Sequence, residues 1–155
     1  MGMSIEESDN GTKQRTIEEF KEIPKELEET IAQELDDIWQ KIYNLAIELC
    51  PKDTGALASS IELESEGGSG VIGVSGISGD FYTGSIYAGN DEIINPKSGR
   101  ATSEYALFVH DGHAIGDMFY EGVAFLADAV AAYQTELDAA VDRAMNEMRI
   151  NKEGT

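Results

Sequence analysis

The sequence predicts an α+β fold: two long amphipathic helices packed on a small, mostly antiparallel β-sheet, with an inserted loop or hairpin. Two observations carry this. Apolar residues recur at three- and four-residue intervals from Leu27 to Leu49 and again from Leu126 to Met148. Between them lies a glycine-rich stretch of short alternating runs, the pattern of strands and turns. The chain has 155 residues, enough for one hydrophobic core, and residues 16–150 read as one domain.

Residues 1–15 are polar and acidic, which predicts a mobile N-terminal arm. Thr16-Ile17-Glu18-Glu19 has the capping-box pattern and opens a short helix to about Glu22. Pro24 then suits the first turn of the main helix. Leu27, Ile31, Leu35, Ile38, Ile42, Leu45 and Leu49 form its apolar stripe, widened by Trp39, Tyr43 and Ala46. The predicted helix is about 26 residues and ~39 Å long. Its other face carries Glu28, Glu29, Asp36, Asp37 and Lys41, an ordinary solvated surface.

Pro51 cannot continue that helix and turns Cys50 away from helical dihedrals; Asp53 and Thr54 can bond their own backbone in a turn that Gly55 completes. A strand is expected directly afterwards, over Ser59–Glu64, with Ile61 and Leu63 alternating against Glu62 and Glu64. Gly67-Gly68-Ser69-Gly70 reads as a hairpin loop, with Val71–Ile77 as the return strand. A phosphate-cradling loop would need a strand before it and a helix after it, so this glycine run argues against nucleotide binding. Residues 79–103 resemble an insertion. With Phe81, Tyr82 and Tyr87 among glycines and acids, they are expected to project and contact another subunit, ordering mainly on assembly. Tyr105–Val109 reads as a core strand. From about Tyr120 the chain turns helical, with Leu126, Val130, Tyr133, Leu137, Val141, Met145 and Met148 in its stripe and alanines that permit close packing. Arg143 and Arg149 favour its C-terminal end, and residues 151–155 are expected to fray.

Thirty Asp and Glu against eleven Lys and Arg leave a net charge of −19, with 17 of the acids in residues 1–66. Tight duplex DNA binding needs clustered cations, and the sequence has no such cluster. The acidity suits a protein that handles DNA by repulsion, one that binds a basic partner, or one adapted to high salt. A single cysteine, Cys50, excludes an internal disulfide and reads as a small buried apolar residue at a helix end. No apolar run approaches the ~18 residues of a membrane span, and the first ten residues lack a basic start, so neither a membrane protein nor a conventional secretory signal is expected.

His110-Asp111-Gly112-His113, with Asp117 beyond, is the one cluster that invites a metal or acid–base reading. The segment leaves an expected strand through Gly112, where neighbouring side chains diverge, so a hydrogen-bonded turn at a subunit contact is preferred. On that reading there is no metal site, no catalytic residue and no cofactor. A small metal-dependent hydrolase using His110, Asp111, His113 and Asp117 stays open as an alternative, as does an acidic adaptor for a basic partner.

Three phrases occur in order: Pro51, Thr54, Gly55, Leu57, Ser60 and Ile61; then Tyr105, Ala106, Val109 and Gly112; then Phe125, Leu126 and Ala129. In that order, over about residues 18–148, the chain resembles the gp-ten-like head-to-tail joining proteins (neck, tail-completion or minor tail proteins) of long-tailed double-stranded DNA phages and related archaeal viruses. His110 stands where that family usually has Glu, His113 where it has Thr, and Ala124 where it has Pro. The resemblance implies a structural virion protein made in the host cytoplasm. It implies a homo-oligomeric ring, commonly a hexamer, with portal, adaptor or neck proteins above and a tail-tube or tail-terminator protein below. Genome DNA would pass the channel in transient, non-specific contact, without an enzyme activity or a membrane. Phe81, Tyr82, Tyr87, His110 and His113 are the candidate subunit contacts.

Overall fold

The computed structural model describes residues 25–78 and 82–154. The expected N-terminal arm, the capping box at 16–19, Pro24 and Phe81 lie outside the described residues.

The fold is α+β, as predicted. Helix α1 spans Lys25–Leu49, a single-turn helix α2 covers Ala56–Ser59, and strand β1 is Glu62–Leu63, followed by a 3-10 turn at Glu64–Glu66. Strands β2 (Ile72–Ser78) and β3 (Tyr82–Ala88) come next. After a loop and a 3-10 turn at Thr102–Glu104, helix α3 spans Ala106–Asp111. A small ladder of β4 (His113–Ile115) and β5 (Met118–Tyr120) leads to helix α4, Phe125–Gly154. That helix continues through most of the residues expected to fray.

Four local expectations are corrected. The strand at Ser59–Glu64 shrinks to two residues, because the turn after Pro51 runs into helix α2. Ser59 N–H donates to Gly55 O at 3.0 Å, closing a helical turn. β1 and β2 do not form a hairpin: the three-stranded sheet has the order β1-β3-β2, and Glu62 and Leu63 pair antiparallel with Tyr87 and Ile86. The inserted segment therefore does not project as a whole. Tyr82–Ala88 is the middle strand, with Ile86 and Ala88 fully buried. Tyr105–Val109 is not a strand either; α3 takes its place, and of its residues only Ala106 is buried. Alternation over five residues cannot separate a strand from one and a half helical turns.

The chain divides into two compact units. One comprises the described parts of Met1–Ile38, Ile77–Thr83 and Gln134–Thr155. Its buried residues include Ile31, Leu35 and Ile38 from α1 and Leu137, Ala140, Val141 and Ala144 from α4, the stripes read from the sequence. Of the alanines in this part of α4, Ala139 is exposed while Ala140 and Ala144 are buried, so only those two serve packing. Ser78 Oγ donates to Asp138 Oδ1 at 2.8 Å, and Gln134 Nε2 donates to Ile77 O at 2.9 Å. Arg143 grips both carboxylate oxygens of Glu34, at 2.8 and 3.0 Å, and that hydrogen bonding raises the guanidinium pKa further.

The second unit comprises Trp39–Gly76 and Gly84–Tyr133. Its core draws Trp39, Ile42 and Ala46 from α1, Leu57, Ile61 and Leu63 from the segment after it, Ile86 and Ala88 from β3, and Phe125, Leu126 and Ala129 from α4. Trp39 packs directly over Gly84, where a Cβ would stand 2.6 Å from the indole. The middle strand has a glycine there because the indole occupies the side-chain position. Cys50 is buried as expected, and desolvation pushes its thiol up to about 11, so it stays protonated at neutral pH.

Candidate functional site

The C-terminal end of α1 is closed by Lys52, whose Nζ donates to Glu48 O at 3.0 Å and Cys50 O at 3.1 Å, a cation on the negative end of a helix. Thr54 Oγ1 then accepts the Ala56 N–H at 3.3 Å. Gly55 sits at φ +83°, in the left-handed region, which is why the turn calls for glycine. Ser60 is fully buried and bonded twice: its hydroxyl donates to Leu57 O at 2.6 Å and accepts the Gly89 N–H at 2.9 Å. One hydroxyl thereby holds the turn of α2 against the end of β3.

The other wall comes from the loop after β3 and from α3. Asn95 Oδ1 accepts the N–H groups of Lys97 and Ser98, at 2.8 and 3.3 Å, an Asx turn that fixes the side chain. Asn95 Nδ2 donates to the Tyr105 hydroxyl at 3.2 Å. Tyr105, at the start of α3, and Val109, one turn on, share a helix face.

These walls enclose a cleft of about 240 Å³ lined by Pro51, Asp53, Thr54, Gly55, Ala56, Leu57, Asn95, Tyr105 and Val109. Pro51, Thr54, Gly55 and Leu57 of the first phrase and Tyr105 and Val109 of the second thus meet at one concave surface, although they lie far apart in the chain. Of the remaining phrase residues, Ser60, Ala106, Phe125, Leu126 and Ala129 are 0% exposed and Ile61 2%, and serve packing, while Gly112 is half-buried and ends α3 at φ +85°. Asp53 is held by Lys97 Nζ at 3.0 Å, an exposed pair that contributes little to stability. A mainly apolar lining with a few oriented polar groups suits an inserted side chain.

The histidine cluster is split. His110 Nδ1 lies 2.7 Å from Asp111 Oδ1, and its Nε2 accepts the Ala127 N–H at 3.3 Å in the first turn of α4. These bonds assign the neutral tautomer with the proton on Nδ1, and they make His110 a cap for a helix start. Its ring also meets Phe125 edge-on, with centroids 5.2 Å apart. His113 is instead stacked on Tyr120 at 5.4 Å and tilted against Phe108 at 5.3 Å. Its Nδ1 is buried with no hydrogen-bond partner. Asp117 lies at the far end of the β4–β5 ladder. Among the described residues, no group of three or more His, Cys, Asp or Glu side chains is placed to hold a metal ion. Of the proposed contact residues, Tyr82 and Tyr87 are half-buried in the middle strand, and Tyr87 covers Gly73.

The sequence reading missed the β4–β5 hairpin, whose register pairs His113 with Tyr120 and Ile115 with Met118. A signal was present: a Gly-Asp pair between apolar residues is a two-residue hairpin turn. Gly116 has φ +62°, and no described non-glycine residue has positive φ, as a type II′ turn requires. At its base, Gly112 at φ +85° lies so close to the returning strand that a Cβ would stand 2.6 Å from Tyr120 O. The hairpin presents apolar side chains to solvent: Ile115 is 61% exposed, Met118 61% and Phe119 63%.

No family model, curated protein or solved structure matches this chain.

Proposed function

We propose that this chain is a structural subunit of a virion head-to-tail junction, a neck or tail-completion ring that connects the capsid portal or adaptor to the tail and leaves a channel for DNA. The observation that carries this is the convergence of the first two sequence phrases on one apolar cleft. Residues that a joining protein would share with its relatives line a surface suited to gripping another protein. Ring contacts would then be the activity. The net charge of −19 supports the same reading, because a channel that gripped phosphates would stall a passing genome.

The test is native mass spectrometry of the purified chain across micromolar concentrations, followed by imaging of any assembly. A closed ring with an open centre is expected, together with negligible retention of duplex DNA at physiological salt. A chain that remains monomeric at all concentrations, alone and with portal or tail-tube proteins from the same genome, would overturn the proposal.

A further inference from the structure

We infer that the β4–β5 hairpin of one copy seats in the Pro51–Val109 cleft of the next copy, giving a head-to-tail contact between two different surfaces of the same chain. This rests on the ring reading above and names the contact that would build the ring.

Shape, polarity and charge all favour a second copy as the occupant. A cavity of ~150 Å³ accepts a benzene ring, so a cleft of about 240 Å³ has room for the Phe119 ring. Ile115, Met118 and Phe119 are each about three-fifths exposed, an unusual surface for so acidic a chain. The hairpin is also acidic, with Asp117 in its turn and Glu121 just after it. The cleft has the opposite character. Residues 39–76 and 84–133 hold four lysines and arginines, and three of them, Lys52, Lys97 and Arg100, belong to the two segments that line it. Lys97 is bonded to the lining residue Asp53, Lys52 follows the lining residue Pro51 with its Nζ on the Glu48 and Cys50 carbonyls at the end of α1, and the Arg100 backbone is tied to Asn95, its O accepting the Asn95 N–H at 2.8 Å. In a protein of net charge −19, an apolar cleft whose walls hold most of this unit's cations, against one lining acid, Asp53, and an apolar hairpin with acidic ends complement each other. Because no hairpin residue lines the cleft, the contact is not self-pairing. Repeated in one direction it propagates from copy to copy, into a ring where the rotation closes, whereas a reciprocal exchange would stop at two copies.

The experiment uses the full chain and reads mass by native mass spectrometry and analytical ultracentrifugation, with circular dichroism as the folding control. The Met118→Ser/Phe119→Ser variant removes the knob, and Val109→Trp fills the cleft. Lys97→Glu, on an exposed side chain, repeats the cleft test without touching the core. Each is expected to weaken self-association at least tenfold. An equimolar mixture of the knob and cleft variants retains one sound interface and should stop at dimers. Asp117→Lys combined with Lys97→Glu should recover part of the loss. Rings formed equally well by the knob variant would overturn this contact while leaving the ring reading intact. A mixture that forms no dimer would also overturn it. Open chains or dimers of wild type that are lost in these variants would support the contact and defeat the ring. A wild-type chain that never self-associates would overturn both.

Discussion

The loop at 89–104 and the hairpin at 113–120 are close in sequence and opposite in construction. The loop is polar and closed on itself. Thr102, 0% exposed, donates from its hydroxyl to Asn90 O at 2.9 Å and accepts the Asn90 N–H at 3.0 Å. Asn90 Oδ1 accepts the N–H groups of Glu92 and Ile93, Ser103 Oγ bonds Asp91, and Ile94 bridges Ala101. The hairpin has little beyond its ladder, its stacked His113 and its exposed apolar side chains. Composition alone leads one to expect residues 79–103 to project, and it gives no notice of the exposed hairpin. Asparagine, serine and glycine in the loop are turn chemistry that satisfies a backbone internally, whereas the apolar side chains of Ile115, Met118 and Phe119 in the hairpin stay mostly exposed.

The largest expected effect breaks the comparison at the loop's root. Replacing residues 79–103 with a Gly-Ser linker removes the middle strand and should abolish the cooperative thermal transition, followed by circular dichroism. A folded product would mean that β3 is dispensable. Next is Gly84→Val, which drives a branched side chain into the Trp39 indole and should cost about 3 kcal/mol in urea unfolding, with Trp39 fluorescence as the probe.

Gly55→Val meets open space but needs φ +83°, so its cost is purely conformational, about 1.5 kcal/mol. Within the loop, Thr102→Val keeps the shape but leaves the half-buried Asn90 N–H without its acceptor, and should cost about 1 kcal/mol. An unchanged midpoint would show that the network is ornamental. The smallest stability effect belongs to the hairpin: Phe119→Ser should shift unfolding by no more than about 0.5 kcal/mol. A loss of several kcal/mol there would show that Phe119 supports the fold.

Much of the fold was legible in local pattern. The stripe of α1, the stop at Pro51, the left-handed Gly55, the buried Cys50 and the stripe of α4 follow from periodicity and from the dihedral limits of proline and glycine, which act within a few residues. Tertiary pairing decided the rest. Nothing local to Glu62 and Leu63 says that they pair with β3 and not with β2, and nothing in Tyr82–Ala88 marks it as the middle strand. Tyr105–Val109 became helix because an apolar run of five fits either period. The cleft was the least legible feature, since its walls come from two segments about fifty residues apart and become one surface only when the chain folds. Side-chain chemistry and backbone sterics determine where elements start and stop; which elements meet depends on burial and hydrogen-bond satisfaction summed over the whole chain.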